Sequence, residues 1–210
     1  ILQRVGRQLR LIEVKAKSWD SESDRERAEA GKLREFWAGK KAQSTASSWR
    51  EYLEDVTYQT LMLEALFPEF SVVPYLCLVD KAARCETDAL PEHFEIQRSE
   101  DRNGRIVSVK LLGDASAIAR EQLTIEVPVS EEVNALREDV IDATALFLAS
   151  YEPELQRISS PISTSCRGCE YRVPDGALAP DKKNGFAECW GALATVEPSI
   201  LDLYHVSRLK

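Results

Sequence analysis

Residues 9–17 read LRLIEVKAK, an apolar run into which one acid, one arginine and two lysines are set. Side chains alternate along a strand. Leu9, Leu11, Glu13, Lys15 and Lys17 therefore share one face, and Arg10, Ile12, Val14 and Ala16 share the other. Both faces are apolar at the centre, which predicts a strand over 9–16 inside a sheet, with Gly6 as the turn before it. A carboxylate and an ammonium at such a place are costly unless they are paired or bound to something.

Two readings account for the pair. In the first, Glu13 offers a hard oxygen ligand to Mg²⁺ or Mn²⁺. Lys15, about 6 to 7 Å further along the same side, then orients or deprotonates a water attacking phosphorus and offsets the charge building on the phosphate. In the second, the two form a plain ion pair at an exposed strand end. Residues 49–66 bear on the choice. Tyr52, Val56, Gln59, Leu63 and Leu66 fall at alternating steps of four and three, which predicts one face of a helix, stopped before Pro68. Gln59 is the polar member of that stripe and needs a partner: the lysine, a metal-bound water, a DNA phosphate, or solvent at the helix flank.

Between these elements, residues 18–48 are highly charged and then rich in Ser, Ala and Gly. This reads as a mobile insertion, partly helical over 25–37. Trp19, Trp37 and Trp49 border it, either as a cap over a core edge or as a surface for stacking bases. Further strands are expected over 71–83, 93–100, 105–113 and 123–129, with Asp-Arg-Asn-Gly at 101–104 as a hairpin turn. Ser130 and the acidic residues after it open a long amphipathic helix to about Tyr151. From Ile158 the pattern breaks into Ser, Pro, Gly and Cys, a tail that needs a staple to hold its shape. The expected organisation is a core over 1–157 and a cysteine-containing segment over 158–210.

The order of these motifs resembles the PD-(D/E)XK nuclease superfamily in its RecB-like branch. There a strand bearing Glu-X-Lys precedes a helix whose motif begins with glutamine. Glu13, Lys15 and Gln59 match those positions; the family's tyrosine four residues after the glutamine is Leu63 here. The resemblance covers roughly residues 1–81. It implies a restriction-endonuclease-like α/β fold, a central mixed sheet flanked by helices, acting as a Mg²⁺- or Mn²⁺-dependent DNA nuclease. Its catalytic residues would be Glu13, Lys15 and Gln59, with Glu13 as metal ligand, and its partners DNA and a helicase or other DNA-processing protein. The alternative is a catalytically incomplete relative that serves as a DNA-binding or assembly module. The family also places an aspartate roughly a dozen residues before the glutamate, at or just before Ile1. Because the chain begins with Ile1 rather than Met, it is expected to be a segment of a longer product.

The five cysteines are odd in number, and three of them cluster late. That pattern fits metal binding in a reducing cytoplasm better than a disulfide framework. Cys166 and Cys169 have the chelating C-x₂-C spacing, and Cys189 follows after nineteen intervening residues. Zinc lacks a nearby histidine for a fourth ligand, Cys85 being a distant substitute, while Cys77 reads as a small core residue. Some RecB-like nucleases hold a four-iron cluster on one leading and three trailing cysteines. The resemblance therefore implies that Cys166, Cys169 and Cys189 are the trailing three of a 4Fe–4S site, with Zn²⁺ or no metal as alternatives.

The net charge of −8 argues mildly against nucleic-acid binding by global charge. It leaves a nuclease open, since only the substrate channel must be basic. Residues 1–17 carry Arg4, Arg7, Arg10, Lys15 and Lys17 against Glu13 alone. No run approaches the ~18 apolar residues of a membrane span. Phosphate-binding glycine loops are absent, and neither histidine sits in a nucleophile motif.

Overall fold

The computed structural model describes residues 1–39, 44–101, 104–151, 153–159, 161–173 and 182–202. The chain divides into two compact units, 1–145 and 146–210. The first unit is mixed α/β. Its elements in order are β1 (Leu2–Val5), β2 (Gln8–Trp19), α1 (Ser21–Glu29), β3 (Trp37–Ala38), β4 (Ser44–Thr45), α2 (Ser47–Leu66), β5 (Ser71–Asp80), β6 (Phe94–Asp101), β7 (Gly104–Leu111), α3 (Ala115–Ala119), β8 (Thr124–Pro128) and the greater part of α4 (Ser130–Ala149). Among the described residues no helix is long and apolar enough to cross a membrane.

The central sheet has the order β1-β2-β5-β8. β1 is antiparallel to β2, β2 is parallel to β5, and β5 is antiparallel to β8. Parallel neighbours cannot be joined by a tight turn, so the chain crosses over between β2 and β5, and α2 lies in that crossover. The register pairs Glu13 with Leu76 and Val14 with Cys77, then slips: Ser18 pairs with Val79. Four residues of β2 advance against two of β5. Lys15, Ala16 and Lys17 lie in this bulge, of the kind that re-aims side chains beside functional sites.

Leu9, Leu11 and Trp19 of β2 are buried, as are Leu76 and Leu78 of β5 and Val127 of β8. All of these except Leu9 share one core cluster with Leu53 and Val56 of α2 and with Val133, Leu136 and Val140 of α4. The alternation read from the sequence is therefore realised, with Glu13, Lys15 and Lys17 on the face that carries the core. On the opposite face Arg10 reaches from β2 over the Tyr75 ring, 4.6 Å from its centroid, to an ion pair with Glu126 of β8. Val14 and Val79 on that face are 55% and 48% exposed.

The buried stripe of α2 is Trp49, Leu53, Val56, Thr57 and Thr60, rotated from the stripe expected from hydropathy. Leu66 is exposed, and Tyr52 and Gln59 lie half-buried on the flank. The reason is aromatic. Trp49 packs edge-on against both Trp19 and Phe36, at 5.6 and 5.0 Å between centroids, and Trp19 stacks on Phe36 at 4.6 Å. Such rings bury more area than any aliphatic pair and set the rotation of the helix. The two threonines are satisfied in place, donating to the carbonyls of Leu53 and Val56 at 2.6 and 2.7 Å.

The charged stretch after β2 is tied to this core. Its helix, α1, lies earlier than expected and has no buried residue, but Phe36 beyond it is fully buried. Arg34 stacks over Phe36 and Trp19, 4.9 and 5.4 Å from the ring centroids. It donates to the Pro128 carbonyl at 2.8 Å and lies 3.9 Å from the buried carboxylate of Glu132. Burial pushes the Glu132 carboxyl up, against the pull of Arg34. Trp19 and Trp49 are therefore core residues, which removes them as stacking surfaces for bases. Residues 40–43 of the expected insertion lie outside the described residues.

The expected hairpin is present as β6–β7, with Phe94 opposite Leu111 and Asp101 opposite Gly104. Arg102 and Asn103 of its turn lie outside the described residues. In the second unit, α5 (Gly185–Trp190) is capped by the Asn184 side chain, which accepts from the amides of Phe186 and Ala187. Phe186, Trp190 and Leu201 form its core, with Cys166 and Cys169 packed against them.

Phe36→Ala is expected to destabilise the chain by about 3 to 5 kcal/mol, the usual loss for truncating a buried phenylalanine. Urea unfolding followed by tryptophan fluorescence measures it. A loss below about 0.5 kcal/mol, the range of surface changes, would place the segment outside the cooperative core.

Candidate functional site

Glu13 and Lys15 leave β2 on the core face where the sheet splays at its bulge, and α2 lies over them. Their side chains are about one-fifth exposed. Lys15 Nζ lies 2.9 Å from Glu13 Oε1. It also donates in a very short contact to Asp55 Oδ2 of α2. Gln59, one helical turn after Asp55, donates through Nε2 to Asp55 Oδ1 at 3.0 Å and to Glu13 Oε2 at 3.1 Å. The four side chains close a ring: two donors, Lys15 and Gln59, each shared between the same two carboxylates.

The structure thus brings together all three residues singled out on β2 and α2, and it adds Asp55, which sequence reasoning missed. Asp55 sits in Glu51-Tyr-Leu-Glu-Asp, where acids ordinarily mark a solvated helix face. Its only signal was the spacing of four to Gln59, at which an aspartate and a glutamine meet on a helix.

The ring's electrostatics are consistent between partners. Partial burial pushes Lys15 down, but its hydrogen bonds to Asp55 and then Glu13, with the attraction of both charges, outweigh this and raise its pKa. Asp55 is drawn below the usual aspartate range, chiefly by the hydrogen bond from Lys15, against its own desolvation. In this arrangement Lys15 is a firmly held ammonium. It can donate hydrogen bonds and offset negative charge, and it is poorly suited to take a proton from water. Beside it, Lys17 Nζ lies 4.4 and 5.0 Å from the ring centroids of Trp49 and Tyr52 and donates to the Ser48 carbonyl at 2.5 Å.

The donor chemistry fits a hard divalent cation. Glu13 and Asp55 present carboxylate oxygens within 3.1 Å of a single nitrogen, Gln59 Nε2. Mg²⁺ is commonly held by one or two carboxylates together with water and substrate phosphate. Among the described residues no group of three or more His, Cys, Asp or Glu side chains is gathered in metal-binding proximity.

The cysteines fit only in part. Cys166 and Cys169 lie within and just after one 3-10 turn (Thr164–Gly168), half-buried against Phe186 and Trp190. Hydrogen bonding to the Ser163 backbone draws the Cys166 thiol below its ordinary range. Cys189 on α5 is exposed and is not gathered with the other two among the described residues. Cys85 is exposed and contacts the Thr87 carbonyl at 3.4 Å. Cys77 lies half-buried in β5. No family model, curated protein or solved structure matches this chain.

The ring makes a pH prediction with a definite sign. The lowered Asp55 contributes stability that is present above about its ordinary pKa of 3.8 and is lost as pH falls through its folded value. The raised Lys15 contributes stability that is present below 10.5 and is lost as pH rises through its folded value. The stability difference between wild type and Asp55→Asn is therefore expected to be flat between these limits and to shrink on both sides. Urea titrations across the pH range test it; a difference that grows toward acid would overturn the assignment.

Proposed function

We propose that this chain is the core of a metal-dependent DNA nuclease of PD-(D/E)XK type, hydrolysing phosphodiester bonds on a restriction-endonuclease-like sheet. The observation that carries the reading is the reach of Gln59 from α2 to Glu13 on β2, with Lys15 between Glu13 and the same helix. Three groups picked out by their separate places in the sequence meet at one point. The parallel β2–α2–β5 arrangement and the bulge at Lys15 support the same reading.

Glu13 would hold Mg²⁺ or Mn²⁺, with Asp55 as the nearest further carboxylate. A bound cation supplies Lewis-acid activation of water and of the phosphate. Lys15 acts as a fixed ammonium that orients the attacking water and offsets charge on the phosphate. Gln59 holds the Glu13 carboxylate in place and has a second acceptor in Asp55.

The test is cleavage of linear DNA, with Mg²⁺ and then Mn²⁺, by the protein in its natural reading frame. Lys15→Ala and Glu13→Ala are each expected to lower the rate by about 100-fold or more, the order for removing one charge-stabilising group. Equal cleavage by wild type and both variants would sink the mechanism. DNA binding without cleavage would select the alternative, an assembly or DNA-binding module.

For the second unit we infer a metal staple built on Cys166 and Cys169, with Cys189 as the third trailing thiolate of a 4Fe–4S cluster or, failing that, of a Zn²⁺ site, either of which needs one further ligand. The C-x₂-C turn and the thiolate-favouring surroundings of Cys166 support it. Protein purified without oxygen is expected to carry iron and acid-labile sulfide and to absorb in the visible. Stoichiometric zinc in a colourless protein selects the second metal, and neither metal in stoichiometric amount rejects the staple.

A further inference from the structure

The ring holds one more group than the proposed chemistry needs. Lys15 and Gln59 each have two acceptors, and in both cases the second is Asp55. Lys15 Nζ bonds Glu13 Oε1 and Asp55 Oδ2; Gln59 Nε2 bonds Glu13 Oε2 and Asp55 Oδ1. Both oxygens of Glu13 are thus engaged by donors that Asp55 also engages. A carboxylate whose oxygens are taken by an ammonium and an amide is a poor cation ligand unless those donors have somewhere else to go. A buried or half-buried donor left without an acceptor costs its desolvation penalty.

Asp55 removes that conflict. It is the more exposed of the two carboxylates, 41% against 21%. It is carried by the same helix as Gln59, so its distance to that amide is set by the helix itself. Its place on α2 also leaves it independent of the β2 bulge that carries Glu13 and Lys15. We propose that Asp55 is a positioning residue that keeps Lys15 and Gln59 anchored when the Glu13 carboxylate engages a divalent cation. The proposal rests on the nuclease reading for the cation and on the ring geometry alone for the anchoring.

The anchoring is read without substrate or metal. In protein labelled with ¹⁵N at lysine and glutamine side chains, a hydrogen-bonded Lys15 ammonium exchanges slowly and gives a cross-peak, assigned by its loss in Lys15→Arg. Gln59 is followed by its amide pair, assigned by Gln59→Ala. Removing the Glu13 carboxylate, as Glu13→Ala, is expected to leave both signals protected, because Asp55 retains the donors. Glu13→Ala with Asp55→Ala is expected to lose the Lys15 cross-peak and to collapse the Gln59 pair toward free-amide shifts. Loss of both signals in Glu13→Ala alone overturns the proposal, as does their survival in the double variant. Circular dichroism checks folding, and Glu13→Gln and Asp55→Asn repeat the comparison if an alanine variant does not fold.

In the cleavage assay Asp55→Ala is expected to lower kcat by about 10- to 100-fold, with KM changed less than about threefold, the pattern for a misplaced catalytic group. Asp55→Glu is expected to restore part of it. In a Lys15→Ala background Asp55→Ala should cost little more, since residues acting through one another are not additive. Full additivity would overturn a role through Lys15. A wild-type protein that cuts no DNA overturns the nuclease reading, and the resonances then decide the anchoring by themselves.

Discussion

Parallel pairing between β2 and β5 is the constraint on which the arrangement of the first unit rests. Two strands that run the same way cannot be joined at one end, so the chain must return across a face of the sheet. The returning helix is α2. Its buried stripe meets the core face of β2, the face that carries Glu13, Lys15 and Lys17. Gln59 and Asp55 are thereby delivered to the charged end of β2 by topology rather than by a loop. The same pairing buries Leu76 beside Glu13, which sets a half-dry environment around the ring.

The rotation of α2 about its own axis decides the rest, and it is fixed by three aromatic rings. Trp19 ends β2, Phe36 arrives from the charged segment, and Trp49 lies in the first turns of α2. Had the helix buried the stripe that ends at Leu66, Gln59 would point into the core. The aromatic cluster turns it to the flank, where an amide can bridge two carboxylates. Arg34, stacked on two of the rings and bonded to the end of β8, ties the charged segment into the same cluster.

Glu13 and Lys15 were legible because alternation is a local property of a strand, and charges at the centre of an apolar alternation stand out. Gln59 was legible as the polar break in a helical stripe. Asp55 was not, because it sits among acids on a helix, and only a tertiary partner separates a functional acid from a solvated one. The place of Phe36 was hidden for the converse reason: charge dominates its segment, and a single buried ring leaves little periodic signal. β1 was also missed, since four exposed residues carry no pattern of burial. In the second unit the C-x₂-C spacing is local and survives in the structure as a turn. The relation of Cys189 to it depends on residues far along the chain, which spacing cannot encode.

The slip in register between Val14 and Ser18 consumes two extra residues of β2. Because two is the strand's own period, inward and outward positions are the same after the slip as before it, and Trp19 returns to the core. A gain or loss of one residue within 15–18 would turn Trp19 to the other side of the sheet and dissolve the aromatic cluster, while a gain or loss of two would only lengthen or shorten the bulge that carries Lys15. The reach of the lysine is therefore adjustable in this chain, but only in steps of a residue pair.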